Sequence, residues 1–409
     1  YIEWNFHEPE KGVYNFSGDN DLIGFLETAQ EVGLVVILRA GPFIDAERDM
    51  GGFPYWLLTI NPKMNLRTFD PTYISEVDRW YSYLLPKLVP MLYKNGGPVI
   101  TVQIENEYGS YGCDFEYTAH LRDLFHQYLG FDTILFTTDG NGDVYLECGK
   151  VDNVFSTVDF GPGSDPSAAF AAQHRHQEFG PNVNSEFYPG WLDHWEEPHS
   201  QTATSAVCNT LDKILALNAS VNVYMFHGGT SFGFGSGSNI GDTFEPCPTS
   251  YDYDAPLNEA GDPTPKYYAM RNVIGKYLPL PNIPVPVPSP KMELPPIVMN
   301  PVSSLFDYNY LEDPIPSLFP LTFEQLKQRN GFVLYSTNIS VHPSDPAVLQ
   351  ITGLADRAQV FVDSEYSGTL SRMHKLFQLP IDVQMGSKLD ILVENQGRVC
   401  FGSNIGELK

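Results

Sequence analysis

Short apolar runs alternate with longer amphipathic stretches over the first two thirds of this chain. The apolar runs cover 34–38, 99–104, 134–138, 154–158, 183–187 and 221–226. Segments with a helical pattern, such as 73–93 and 114–129, separate these runs. Strands that alternate with helices form a parallel sheet, and so many repeats without a GxGxxG motif after the first strand favour a barrel over a dinucleotide-binding sheet. The sequence therefore predicts an α/β fold, a (β/α)8 TIM barrel.

The strand count predicts that this barrel is incomplete. The six runs and a strand-like stub at Tyr1–Trp4 make seven strands, whereas the barrel needs eight. We expect the missing first strand and its helix upstream of Tyr1, because the chain opens without an initiator Met or signal peptide. A fragment with two unpaired sheet edges is expected to be unstable or inactive by itself.

A proline-rich segment divides the chain. Residues 279–296 contain too many prolines for a helix or a central strand and predict an extended linker. Beyond it, strand-like runs at 331–336, 348–352, 358–362 and 389–393 are separated by turn residues and predict a β-sandwich or jelly roll. The predicted domains are a catalytic barrel at 1–278, a linker at 279–300 and a β-sandwich at 301–409, which is itself partial at its C-terminal end.

Charge and composition exclude several classes of protein. The chain has 50 acidic and 24 basic residues and a formal net charge of −26, so a nucleic-acid partner is not expected. It lacks any run of about 18 apolar residues, so no transmembrane segment is predicted. The five cysteines form no CxxC pair, and neither a metal site nor a cofactor is predicted.

Three glycosylation sequons begin at Asn15, Asn218 and Asn338. Together with the acidic composition, they predict a lysosomal or extracellular glycoprotein. The sequence leaves the choice between the two compartments open. It also leaves the oligomeric state open, and a homo-oligomer is possible.

Carboxylates stand at the predicted ends of two strands. Glu107 follows the run 99–104, and Glu186 lies in the run 183–187. The carboxyl ends of barrel strands meet on one face, so these side chains are expected to face each other across the barrel mouth. A retaining glycosidase needs such a pair about 5 to 5.5 Å apart, one carboxyl to protonate the departing oxygen and one to attack. Glu105 competes with Glu107, because strand alternation places both on one side.

Five motifs in order resemble the family-35 glycoside hydrolases, and the animal lysosomal members most. They are Glu3 to Pro9, Gly41 to Ile44, Gly96 to Gly109, Asn184 to Trp195 and Ser250 to Leu257. The resemblance, which runs to about Lys409, implies a retaining exo-β-galactosidase. Such an enzyme removes terminal non-reducing β-D-galactose from glycans, glycolipids or oligosaccharides by double displacement.

The resemblance also implies roles for individual residues. Glu107 is expected to be the general acid/base and Glu186 the nucleophile. The positions expected to contact galactose are Tyr1, Ile44, Ala46, Glu47, Asn106, Asp159, Trp191, Tyr224, Tyr251 and Tyr253. Cys113 and Cys148 are expected to form the family's disulfide, whereas Cys208, Cys247 and Cys400 have no assigned partner.

One residue departs from the family pattern. The segment that often reads Ile-Cys-Ala-Glu is here Ile44-Asp45-Ala46-Glu47, which adds a carboxylate beside the expected pocket. Two alternative functions stay open: a related exo-glycosidase such as an exo-β-glucosaminidase, and a non-catalytic carbohydrate-binding scaffold.

Overall fold

A computed structural model describes residues 1–304, 306–307 and 311–409, and its central element is a six-stranded parallel sheet. The strands are β1 (Val36–Arg39), β2 (Val99–Gln103), β3 (Leu135–Gly140), β4 (Phe155–Asp159), β5 (Val183–Phe187) and β6 (Ser220–Val223). They pair in sequence order, β1 to β6. Leu305 and residues 308–310, within the predicted β domain, lie outside the described residues.

Helices precede, connect and follow these strands. They are α1 (Trp4–His7), α2 (Leu22–Glu31), α3 (Trp56–Ile60), α4 (Pro71–Leu88), α5 (Phe115–Leu129), α6 (Asp143–Gly149), α7 (Pro166–His176), α8 (Thr204–Ala216) and α9 (Pro265–Ile274). Several begin with strong capping signals. Asp70 accepts hydrogen bonds from the backbone N–H groups of Thr72 and Tyr73, and a proline follows it at the first helical position. Asp165 caps α7 in the same way.

The chain start corrects one prediction, because the stub at Tyr1–Trp4 is not a strand. Residues 4–7 form α1 instead: the indole Nε1 of Trp4 donates to Glu8 at 2.7 Å, a contact between positions i and i+4 that a helical turn provides. The Trp4 ring stacks on Trp80 in the core, 5.8 Å between centroids.

Residues 1 and 2 nevertheless lie where a strand was expected, between the outer strands of the sheet. The backbone N–H of Ile2 donates to the carbonyl of Arg39 at the end of β1, at 2.9 Å. The ring of Tyr1 lies 6.1 Å from that of Tyr224, which directly follows β6. Because both outer strands converge on this segment, the sheet is curled, as in a TIM barrel. The predicted barrel-type fold is confirmed in this form.

The C-terminal part is all β, as predicted. Its strands are β9 (Gly331–Asn338), β10 (Ala347–Gln350), β11 (Arg357–Val362), β12 (Glu365–Ser371), β13 (Gln378–Ile381) and β14 (Lys388–Asn395); a short hairpin, β7 (Ser238–Ile240) and β8 (Phe244–Pro246), precedes it. A four-stranded antiparallel sheet, β12-β11-β14-β9, packs against the β10–β13 pair through a shared apolar core. The exact domain limits stay predictions.

A buried ion-pair network joins this β domain to the barrel. The guanidinium of Arg398 contacts Glu324 at 2.8 Å and Asp49 at 3.3 Å, and all three side chains are buried. The next residue, Val399, forms a parallel bridge with Ser238 of β7. These contacts hold the segment after β14 against the barrel mouth.

The expected disulfide is confirmed, since Cys113 and Cys148 are bonded. It ties the loop after β2 to α6. Cys208, Cys247 and Cys400 are free thiols. None of the helices in the described part of the chain combines the length and apolarity that crossing a membrane requires.

Candidate active site

A cavity opens at the carboxyl ends of the parallel strands, where the active sites of barrel enzymes lie. It is lined by Tyr1, Ile44, Asp45, Ala46, Glu47, Asn106, Glu107, Glu186, Tyr188, Trp191, Leu192, Tyr224, Asn239, Tyr253 and Phe401. Most of the predicted substrate contacts are therefore brought together here. Asp159 and Tyr251, also predicted as contacts, are not among the lining residues.

The segment after β2 turns sharply rather than continuing as a strand. Glu105 has a φ of 58° and Glu107 a φ of 47°, both in the left-handed region that costs non-glycine residues about 1–3 kcal/mol. Backbone hydrogen bonds hold it: Glu105 N–H donates to Gly41 at 2.9 Å, and Glu107 N–H donates to Thr138 at 3.0 Å. The expectation that strand alternation places Glu105 and Glu107 on one side is therefore wrong.

Glu105 is turned away from the cavity and is fully engaged by the core. Its carboxylate accepts two hydrogen bonds from Arg67, at 3.0 and 2.7 Å, and one from the Tyr117 hydroxyl at 2.8 Å. Both members of this ion pair are buried. A carboxylate whose two oxygens are both bonded to a buried arginine is fixed in the core and is not free to reach a bound substrate. Glu105 is therefore a structural group, and Glu107 is the carboxyl that faces the cavity.

Glu107 lies close to two other carboxyl groups. One carboxylate oxygen from each of Glu107, Asp159 and Glu186 lies within 4.8 Å of the other two. Burial, reinforced by the nearby charge of Glu186, raises the pKa of Glu107 to about 8. Glu107 therefore carries a proton at acidic and neutral pH, which is the state a general acid needs.

Glu186, near the end of β5, is paired with a buried cation. It accepts hydrogen bonds from the guanidinium of Arg39 and, at 3.2 Å, from the hydroxyl of Tyr188. Arg39 also donates to the side-chain oxygen of Asn106. The two catalytic candidates thus differ in environment: Glu107 is desolvated beside negative charge, and Glu186 is paired with a cation. Two carboxyl groups in such different surroundings can take different roles, Glu107 as the general acid and Glu186 as the nucleophile.

A left-handed turn after β1 forms one wall. Asp45, Ala46 and Glu47 have φ values of 55°, 55° and 49°. The Glu47 carboxylate accepts a hydrogen bond from the Tyr251 hydroxyl, and burial raises the pKa of Glu47 to about 7. Tyr251 in turn shares a hydrogen bond of 2.8 Å with Tyr224. Tyr251 therefore orients two cavity residues although it does not line the cavity.

Aromatic rings form another part of the wall. The indole of Trp191 is half exposed at the mouth, and its ring lies 5.3 Å from Tyr188 and 6.1 Å from Tyr253. The phenol ring of Tyr253 is buried and packs edge-on against Tyr224, at 5.5 Å. An accessible indole face in a polar cavity suits stacking against the apolar face of a pyranose ring.

Sequence reasoning missed several of these groups. Arg39 could have been noticed as the one charged residue closing the apolar run 34–39. Tyr188 stands two residues beyond Glu186 and carried no separate signal. Phe401 belongs to the β domain, so a search of strand ends in the barrel could not find it.

Two groups of described side chains have donor atoms close enough together to hold a metal ion. One is the carboxyl cluster of Glu107, Asp159 and Glu186; the other is Asp45, Glu47 and Cys400. Burial raises the pKa of Asp45, Glu47, Glu107 and Asp159 above their ordinary values. Protonation of these four carboxyl groups lowers the repulsion within both clusters, and the chemistry outlined above uses no metal.

Comparison with known families gives two matches. The model for glycosyl hydrolases family 35 matches residues 1–277, and the model for the first all-beta domain of beta-galactosidase matches residues 320–409. Together they cover the curled sheet, its helices and the β domain.

Individual relatives are similar over the whole chain. A beta-galactosidase of Bos taurus is 50% identical over 415 aligned residues, covering 100% of this chain and 63% of the relative. A beta-galactosidase-1-like protein of Mus musculus is 48% identical, with 100% and 64% covered. This chain thus spans slightly less than two thirds of these relatives. A solved beta-galactosidase structure from Halorubrum lacusprofundi has a TM-score of 0.47 at 12% identity, covering 68% of this chain and 53% of that one.

Proposed function

This chain belongs to glycosyl hydrolase family 35, and we propose that it acts as a retaining exo-β-galactosidase on terminal β-D-galactose of glycans, glycolipids or oligosaccharides. The observation that carries the proposal is the pair of unlike carboxyl groups, Glu107 and Glu186, with oxygens within 4.8 Å of each other at the cavity. Carboxyl groups this close favour double displacement over single displacement, which needs a wider gap for water. The identity to beta-galactosidases supports the galactoside class.

In the first step, a Glu186 oxygen attacks the anomeric carbon while the bond from that carbon to the glycosidic oxygen breaks. Glu107 gives its proton to the departing oxygen. Arg39 donates a hydrogen bond to Glu186 and orients its side chain until attack. In the second step, Glu107, now a carboxylate, takes a proton from water, and the water oxygen displaces Glu186 from the sugar. Configuration at the anomeric carbon is retained.

The polar groups of the cavity select the sugar. Glu47 and Asn106 offer hydrogen-bonding atoms to sugar hydroxyls, and Trp191 offers a stacking face. A cavity that pairs its buried polar groups with an axial hydroxyl leaves them unpaired when an equatorial epimer binds, and this mismatch reduces the rate. Galactose is therefore favoured over glucose.

The proposal is tested by comparing aryl β-galactoside, β-glucoside and β-glucosaminide turnover by the full-length protein at about pH 4.5. We expect kcat/KM for the galactoside to exceed the others by at least about 100-fold, since one mismatched set of buried polar groups costs a few kcal/mol. Preference for the glucosaminide would support the exo-β-glucosaminidase alternative. Binding of galactose without turnover of any of these glycosides would support a non-catalytic scaffold.

Replacing Glu107 with glutamine tests the acid role. With a leaving group that needs protonation, such as an alkyl alcohol, we expect kcat/KM to fall by about 10²–10⁴-fold. With 2,4-dinitrophenolate as leaving group, the first step needs no acid, and we expect kcat/KM to change much less. Exposed Glu178, replaced by glutamine, is the matched control. Equal losses for both leaving groups would contradict the assignment.

We also propose a cellular location. We place the protein in the lysosome or outside the cell, supported by the sequon asparagines Asn15, Asn218 and Asn338, which are all exposed and accessible to glycosylation. The Cys113–Cys148 disulfide is consistent with an oxidising compartment.

A further inference from the structure

The left-handed turn after β1, residues 45–50, lines the cavity in an unfavourable backbone conformation. Asp45, Ala46 and Glu47 are all lining residues, and their φ values lie between 49° and 55°. Met50, at the end of the turn, has a φ of 56°. Non-glycine residues keep such a conformation only where the surrounding structure holds it. The contacts of this turn therefore decide where Glu47 presents its carboxyl group.

Within the barrel, backbone hydrogen bonds join the turn to the loop before β7. The N–H of Gly237 donates to the carbonyl of Glu47 at 2.8 Å, and the N–H of Asp49 donates to the carbonyl of Gly235 at 2.9 Å. The side chain of Asn5, in α1, donates to the carbonyl of Asp49 at 3.0 Å. The position of the turn thus depends on how firmly the loop before β7 is itself held.

The β domain contacts both the turn and this loop through residues 398–400. The carbonyl of Arg398 accepts hydrogen bonds from the N–H groups of Ser238, at 3.1 Å, and Met50, at 3.5 Å. The carboxylate of Asp49 accepts from the backbone N–H of Arg398 at 2.7 Å and from its guanidinium at 3.3 Å. One segment of the β domain is therefore bonded to the turn and to the loop that supports it.

These three segments pack without free space between them. A Cβ atom added at Gly237 would lie 2.7 Å from the carbonyl oxygen of Arg48 and 2.9 Å from the Cβ of Cys400. A Cβ added at Gly397 would lie 2.6 Å from the carbonyl oxygen of Ser236. Glycine permits this close approach of backbones. Because packing this tight transmits displacements, a shift of the β-domain segment moves the turn as well.

Arg398 ties this segment to the rest of the β domain. Its guanidinium donates to the carboxylate of Glu324 at 3.1 and 2.8 Å and to the carbonyl of Arg329 at 2.6 Å. The side chains of Arg398, Glu324 and Asp49 are all buried. One guanidinium is thus shared by a carboxylate of the turn and a carboxylate of the β domain, and a change at any member leaves buried charge poorly paired.

We propose that the β domain is part of the sugar-binding site: Arg398 is a positioning residue that acts through Asp49 and holds the left-handed turn so that Glu47 faces the sugar. This role rests on the proposed glycosidase function. Arg398 is not among the residues that line the cavity. The catalytic candidates Glu107 and Glu186 are held by other strands of the barrel, so loss of the positioning contact should weaken sugar binding more than it slows the chemical steps.

Arg398→Lys in the full-length protein tests this role. Lysine keeps the charge, but one ammonium group cannot reproduce the planar fork that bonds to Asp49 and Glu324 together. We expect KM for an aryl β-galactoside, and Kd for galactose measured by calorimetry, to rise by about tenfold or more, as for a lost hydrogen bond to the sugar. We expect kcat to stay within about threefold, because the lost interaction is one of binding. Unchanged KM and Kd would overturn the proposal.

A double-mutant cycle tests whether Arg398 acts through Asp49. Asp49→Asn keeps an oxygen that can accept the Arg398 N–H and removes the ion pair, so KM and Kd should rise in this variant also. If the two residues act as one unit, the double variant should show no larger rise than the stronger single variant. Rises that multiply would show that Arg398 and Asp49 act independently, against the proposal.

Leu370→Ala is the control for a general loss of stability. Leu370 is fully buried in the core of the β domain, so the cavity left by this substitution should lower Tm. KM and Kd should keep their wild-type values, because the contacts of the turn stay in place. A rise in KM equal to that of Arg398→Lys would assign the effect to instability and refute the positioning role.

The remaining outcomes also decide the matter. If Arg398→Lys does not fold, Asp49→Asn is read alone: a raised Kd with a near wild-type kcat supports the proposal, and a wild-type Kd refutes it. If the wild type prefers another β-glycoside, KM and Kd are measured with that sugar. If it binds galactose without turnover, Kd still reports the position of the turn. The galactosidase proposal can therefore fail while this one holds, and a wild type that binds none of these sugars would refute both.

Discussion

Glu186→Gln is expected to lower kcat/KM for aryl β-galactosides by about 10⁴-fold or more, because an amide cannot form the glycosyl–enzyme bond. The loss should be the same for every leaving group, unlike the loss at Glu107. The amide oxygen can still accept a hydrogen bond from Arg39, so the fold around β5 is expected to persist. Steady-state kinetics and circular dichroism of the same preparation check both statements.

Azide identifies the two roles by the product that it forms. In Glu186→Ala, azide fits where the nucleophile was and attacks the substrate from that face, so the expected product is α-galactosyl azide. In Glu107→Ala, azide attacks the glycosyl–enzyme from the opposite face and should give β-galactosyl azide. Proton NMR of the anomeric position distinguishes these products. The β product from Glu186→Ala would exclude Glu186 as the nucleophile.

The parallel sheet could be predicted because its signal is local. Each apolar run has the length of a strand and is bounded by turn residues, so its length and composition identify the strand. Helix α1 could not be predicted in this way. The turn at Trp4–His7 depends on a hydrogen bond to Glu8 and on stacking against Trp80, which lies in a distant helix.

The carboxyl pair could be located by the same logic, but its chemistry could not. Glu105 and Glu107 are equivalent in a strand pattern. The structure distinguishes them because the backbone turns sharply at both residues, and because Arg67 bonds to the carboxylate of Glu105 and not to that of Glu107. Phe401 reaches the cavity from another domain. The sugar contact that resemblance implies for Asp159 stays a prediction, because the surroundings of this side chain depend on residues from neighbouring strands.

Stability should be greatest in mild acid and fall as the pH rises. The pKa of Glu47 is about 7 and that of Glu107 about 8 in the folded protein, against 4.5 for an ordinary glutamate. Between these values the folded state binds more protons than the unfolded chain, so the free energy of unfolding falls as pH increases from about 4.5 to 8. Below 4.5 both states are protonated and the effect vanishes. We expect a Tm at pH 5 at least about 5 °C above that at pH 7.5.

Two neighbouring substitutions should shift this profile in opposite directions. Glu107→Gln removes a carboxyl that is costly to ionise when buried, so it should raise Tm at pH 7.5 and leave it nearly unchanged at pH 4.5. Glu105→Gln leaves the buried Arg67 without its carboxylate; breaking such a pair costs about 3–5 kcal/mol, so Tm should fall at both pH values. Differential scanning fluorimetry of both variants measures the contrast. A lower Tm for Glu107→Gln at pH 7.5 would mean that its carboxylate is stabilised in the fold, against the acid role.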